Sequence, residues 1–219
     1  MTKTQIGLFI SMGVVALIAL ILVLFLRWKI KKIKQQYLNQ DREQTYLMLQ
    51  RLRNDLGELP FNLKDHLKND YKPYDIEAVI NTIFTNDFNS ILIIDNKDVF
   101  LQAVVSAKTK RKMYFLKEYN FYPQYLELLE KYPDELQESN LFEYNGQSLN
   151  FVAVFNNNYS LEEVFEKYFK VLENQSMMMI LTTNYRKKEL VNFVKLIKKT
   201  NLLYEISYVE SKFLYIVKQ

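Results

Sequence analysis

Hydrophobic residues are arranged in three different ways along this chain. Residues 6–26 form an apolar run without a charge, and residues 27–56 place apolar positions along one helical stripe. From residue 74 onward, short apolar bursts alternate with segments of helical period. The first run covers about 31 Å at about 1.5 Å per residue, the thickness of a hydrocarbon core, and predicts one transmembrane helix. Arg27, Lys29, Lys31, Lys32 and Lys34 follow it directly, with Trp28 at the depth of an interfacial anchor. Lys and Arg collect on the cytoplasmic side of a span. The expected arrangement is a single-pass cell-membrane protein with residues 1–5 outside and the C-terminal domain in the cytoplasm. A cleaved signal peptide would show a shorter apolar core, a basic segment before it and small residues after it. Here only Lys3 precedes the run, and Phe25-Leu26-Arg27-Trp28 ends it.

Residues 27–60 read as a basic helical stalk, free of Pro and Gly until Gly57 and Pro60 give a stop signal. Ile30, Ile33, Tyr37, Leu38, Leu47, Met48, Leu49, Leu52 and Leu56 come close to one stripe, with a polar middle from Asn39 to Thr45. A homodimer through this stalk stays open, without the sustained heptads of a coiled coil.

The third region predicts a folded domain over 61–219. Helices are expected at 74–87, 99–106, 123–132, 161–173 and 187–199. Strands are expected at 90–95, 112–116, 141–144, 149–155, 177–182, 202–209 and 212–217. Ser160 is the expected N-cap of the fourth helix. The runs Ser90 to Asp95 and Met177 to Thr182 are continuously apolar, as in strands buried on both faces. Strand–helix alternation predicts an α/β architecture with a mostly parallel sheet covered by helices. The last two strands, joined by Glu210-Ser211, predict a terminal antiparallel hairpin.

Charge changes the picture only once it is divided. The formal net charge is +4 overall. Residues 1–26 carry +1, residues 27–60 carry +4 and residues 61–219 carry −1. The basic surplus is therefore juxtamembrane and suits the anionic headgroups of a lipid bilayer. The domain has no positive surplus to favour nucleic acid. There is no cysteine, and His66 is the only histidine. Thiolate chemistry, Cys-based metal sites, a Ser-His-Asp triad and two-histidine metal sites would need more, so no metal is expected. The run Lys108-Thr109-Lys110-Arg111-Lys112 reads as a solvated loop that would also suit an anionic membrane surface.

Seven strands, the last two paired as a hairpin, resemble the Rossmann-like fold of the class I S-adenosylmethionine-dependent methyltransferase family, over about residues 74–219. The resemblance implies S-adenosylmethionine as cofactor, at the turn after the first strand, Asp95-Asn96-Lys97-Asp98-Val99. Aligned by length, Asp95, Lys97 and Val99 stand where the family has glycines, and only Gly57 and Gly146 lie outside the apolar segment. The resemblance further implies an acid on the ribose hydroxyls, a place that Glu118 can take although strict register points to Lys117. It implies an adenine contact near Tyr119, within the aromatic group Phe121, Tyr122 and Tyr125. In the loop after the fourth strand, Asn156 and Tyr159 match the ends of the family's Asn-Pro-Pro-Tyr substrate motif, without its prolines. No catalytic residue stands out. Three readings remain open: a divergent methyltransferase of unknown acceptor at the membrane face, a non-catalytic tethered interaction module that keeps the fold, or an oligomerising scaffold.

Overall fold

The computed structural model describes Val23, Phe25, Trp28, Lys29 and residues 59–219. The chain divides into two compact units, Met1–Leu56 and Gly57–Gln219. In the first, the four described residues are helical and exposed, and the rings of Phe25 and Trp28 lie 6.2 Å apart. The rest of the expected span and stalk lies outside the described residues. Among the described residues, no helix is long and apolar enough to cross a membrane.

The second unit begins with α1 (Phe61–His66) and α2 (Pro73–Thr85) and continues with β1 (Ser90–Ile94), α3 (Phe100–Thr109) and β2 (Lys112–Leu116). α4 (Tyr122–Lys131), α5 (Pro133–Leu136), β3 (Asn140–Tyr144) and β4 (Leu149–Val154) follow. α6 (Leu161–Tyr168), β5 (Leu172–Leu181), α7 (Lys187–Lys199), β6 (Leu203–Tyr208) and β7 (Lys212–Lys218) complete it. One seven-stranded sheet runs in the order β3-β2-β1-β4-β5-β7-β6. β1 to β5 are parallel, while β7 lies antiparallel between β5 and β6.

The period-two alternation of each strand sorts its side chains to two faces. Phe151 and Ala153 of β4 join Ile91, Ile93, Phe115, Met179 and Phe213 in a core under α2 and α3. Val152 and Val154 join Leu92, Ile94, Met178, Ile180, Leu214 and Ile216 in a second core under α6 and α7. The apolar run of β1 is thus buried from Ile91 to Ile94 because both faces are covered.

Ser160 caps α6 as expected. Its hydroxyl accepts from the Glu163 N–H at 3.3 Å, while the Glu163 carboxylate accepts from the Ser160 N–H at 2.8 Å, a reciprocal capping box. Replacing Ser160 by alanine is expected to lower stability by about 1 kcal/mol, measurable as a shift of the urea midpoint with an unchanged slope.

α6 ends at Tyr168, five residues before the end expected at 173, and β5 starts correspondingly early at Leu172. The helical spacing of Leu161, Val164, Tyr168 and Leu172 continues unbroken, so period alone extends the helix. Pairing overrides it: Leu172 lies opposite Leu149, and the Leu149 N–H donates to Val171 O at 3.2 Å. Lys218 Nζ seals the helix end by donating to the carbonyls of Phe169, Lys170 and Leu172. The short helices α1 and α5 have no counterpart in the expected elements, each being too short to express a period.

β3 returns to β4 through residues 145–148 alone, with no crossover helix. Within this connection Gly146 takes a left-handed φ of +88°, which glycine adopts without a Cβ penalty. The face of β2 and β3 beside it keeps Tyr114 half-buried and Phe142 46 % exposed, with their rings 6.2 Å apart.

Candidate functional site

In an open α/β sheet, the carboxyl ends of the central strands converge where the strand order reverses. Here β1 and β4 lie side by side with connections leaving to opposite sides. The turns after them are joined directly. The Asn96 N–H donates to Asn156 O at 2.8 Å, and the Phe155 N–H donates to Ile94 O at 2.9 Å. Two expected site residues, Asn96 and Asn156, therefore meet through their backbones.

The turn after β1 dispenses with glycine because none of residues 95–99 has a positive φ. Its side chains turn inward instead. Asp95 and Val99 are fully buried and Asp98 nearly so. Two residues that no periodic signal singles out, Asn69 and Tyr71, descend onto these side chains from the segment before α2. The Tyr71 hydroxyl donates to Asp95 Oδ1 at 2.8 Å, and its ring meets Phe155 edge-on at 5.2 Å. Asn69 Nδ2 donates to both oxygens of Asp98 at 3.1 and 3.2 Å, while the Phe100 N–H donates to Asp98 Oδ1 at 2.9 Å. Asn69 Oδ1 in turn accepts from the Tyr71 N–H at 3.0 Å. Lys97 pairs with Asp70, and its ammonium lies 5.3 Å from the Tyr71 ring centre. The Val99 N–H is taken by Gln124 Oε1 at 3.1 Å.

The electrostatics follow from burial. Burial pushes the Asp95 carboxyl up to about 7, Asp98 adds to the rise, and the Tyr71 hydroxyl and Lys97 N–H oppose it. Burial and the neighbouring Asp95 likewise push the Tyr71 phenol far above its ordinary range, so it stays protonated and donates. Asp95 Oδ2 is buried without a partner, as is Gln102 Oε1, although Gln102 Nε2 donates to Asp95 O at 3.2 Å. The Lys97 hydrogen bond foremost holds the exposed Asp70 below the usual carboxylate range.

Glu118 and Tyr119 lie in a single 3-10 turn, Lys117–Tyr119, directly after β2. The Glu118 carboxylate accepts from the Tyr159 hydroxyl, which joins the expected ribose acid to the expected substrate loop. Tyr159 also faces the Lys167 ammonium at 5.1 Å, and its N–H donates to Asn157 Oδ1 at 2.8 Å. Tyr119 is half-buried with its ring 5.5 Å from Phe121, and its hydroxyl has no partner. Of the other aromatics near it, Phe121 and Tyr125 belong to the core and Tyr122 is 47 % exposed.

The expected site residues thus fall into two groups. Asp95, Asn96, Lys97, Val99 and Asn156 form the filled turn of β1 and β4, and Glu118, Tyr119 and Tyr159 form a separate acid–phenol group at the end of β2. A nucleoside cofactor needs its close-approach position at the first group open. In this arrangement it is taken by Val99, Asp98 and the Tyr71–Asp95 pair, so the residues present do not fit the cofactor. A sequence reading could have found Tyr71 by one question: what fills a buried turn that lacks glycine?

No protein-family model matches the chain, and no curated protein matches it either. Solved structures do resemble it. An O-methyltransferase from Bacillus cereus in complex with S-adenosylhomocysteine is 11 % identical with a TM-score of 0.54, over 80 % of this chain and 99 % of that one. A Podospora anserina methyltransferase bound to S-adenosylhomocysteine is 11 % identical with a TM-score of 0.51, over 73 % and 87 %. A methyltransferase from Geobacter sulfurreducens is 9 % identical with a TM-score of 0.50, over 68 % and 81 %. At such identities the likeness is one of fold, and the fold is that of the class I S-adenosylmethionine-dependent methyltransferases.

Proposed function

We propose that this chain is a membrane-tethered, non-catalytic interaction module that keeps the methyltransferase fold and holds it at the cytoplasmic face. One observation carries this reading: Tyr71 and Asn69 are bonded into the turn after β1, where a methyltransferase would receive its cofactor. The tether rests on the charge-free run 6–26 and the basic residues behind it. A fold does not fix a function, and the chemistry must come from the site.

Methyl transfer is the second reading. It is favoured by the resemblance to two structures that hold S-adenosylhomocysteine and by the acid Glu118 at the end of β2. Under it, Tyr71 and Asn69 would have to leave the turn, and Asn156 and Tyr159 would face an unidentified acceptor. Calorimetric titration of the full-length protein in detergent, with S-adenosylmethionine and S-adenosylhomocysteine, separates the two. No heat of binding is expected up to millimolar ligand. A saturable isotherm with a dissociation constant below about 1 mM, some −4 kcal/mol, would return the chain to the enzymes.

A further inference from the structure

α7 concentrates cations as no other element of the domain does. Lys187, Lys188, Lys195, Lys198 and Lys199 lie within its thirteen residues, and all five are exposed. Helical period places Leu190, Phe193 and Ile197 against the sheet and the five lysines on the opposite arc, centred on Lys195. The only acid of the helix, Glu189, is half-buried, and its Oε1 accepts from the Leu161 N–H at 2.9 Å. Its charge is committed to the start of α6 and leaves the outward arc purely cationic. Among the described residues, none of the five lysines is paired with a carboxylate. The other basic run differs: there Arg111 pairs with Asp87 at 2.6 Å and Lys110 lies 3.8 Å from Glu138.

Within the lysine face Val191 is 45 % exposed in the middle of the lysines, and Leu196 is 39 % exposed at the rim. Cations around a few apolar side chains match a surface whose outer layer is anionic and whose next layer is hydrocarbon. The neighbouring α6 exposes Glu162 and Glu166, which keeps the contact to α7.

We propose that the outward face of α7 docks on the anionic headgroups of the membrane that carries the tether. The occupant follows from charge complementarity: residues 61–219 have a formal net charge of −1, yet this one helix face is cationic throughout. The inference rests on the tether proposed above and adds a second, electrostatic attachment to it.

The test uses the full-length protein in nanodiscs of phosphatidylcholine with and without phosphatidylglycerol. Lysines are labelled with an amine-reactive reagent, and rates are read peptide by peptide by mass spectrometry. The α7 lysines are expected to react roughly fivefold more slowly in the anionic discs, while exposed Lys117 is unchanged. The difference should vanish at about 1 M salt, where the screening length is about 3 Å. A triple variant, K188Q/K195Q/K199Q, alters exposed positions only and should lose the lipid dependence at Lys187 and Lys198. Equal rates in both lipids would overturn the docking. A chain that fails to co-elute with either disc would overturn the tether itself, and the docking with it.

Discussion

Asp95→Asn is expected to stabilise the protein relative to wild type above neutral pH, by up to about 4 kcal/mol, and to leave stability unchanged below about pH 4. The sign follows from burial. The carboxyl titrates at about 7 in the folded chain, against an ordinary value of 3.8. The neutral acid is therefore the form that folding favours. Its contribution is complete below 3.8, declines as pH rises, and is gone once pH passes about 7. Asparagine holds the neutral shape at every pH and keeps an oxygen for the Tyr71 hydroxyl and the Lys97 N–H. Urea denaturation of both proteins from about pH 4 to about pH 8.5 gives the difference curve, in which the titration of exposed groups such as Asp70 cancels. A flat difference would mean that Asp95 is hydrated or paired.

Tyr71→Ala is expected to cost about 3 kcal/mol, because it removes a ring packed on Phe155 and the hydroxyl that serves a buried carboxyl. Tyr71→Phe isolates the second part and should cost about 1–2 kcal/mol at about pH 6. The two effects are read from urea midpoints. A loss below about 0.5 kcal/mol for the alanine variant is the level of an ordinary surface substitution. It would show that Tyr71 only rests on the turn and does not fill it.

The parts of this fold that can be read from the sequence are those where a local pattern and the tertiary environment agree. β1 and the second half of β5 are buried on both faces, so their continuous apolar runs identify them. α7 begins and ends where its period does, and Ser160 has both its hydroxyl and Glu163 in place to start α6. Agreement fails at the end of α6, where strand pairing at Leu172 overrides a helical period that runs on. It fails also at α1, six residues that are too few to express a period, although Leu63 reaches the core.

The candidate site is less legible for a different reason. Its deciding contact joins Tyr71 to Asp95 across 24 positions, and neither residue belongs to a periodic element. The missing glycines at Asp95, Lys97 and Val99 are visible in the sequence, but they report only that the turn is altered. What occupies the space becomes visible once Asn69 and Tyr71 are seen bonded to Asp98 and Asp95. The meeting of Glu118 with Tyr159 is likewise a product of topology, since β2 and β4 flank β1.

A crystal of the protein soaked in millimolar S-adenosylhomocysteine examines the filled turn directly. The expected density has the Tyr71 hydroxyl on Asp95, the Asn69 amide on Asp98 and no nucleoside beside Glu118. A nucleoside bonded to Glu118, with Tyr71 swung away from Asp95, would contradict the non-catalytic reading and make the turn a gate.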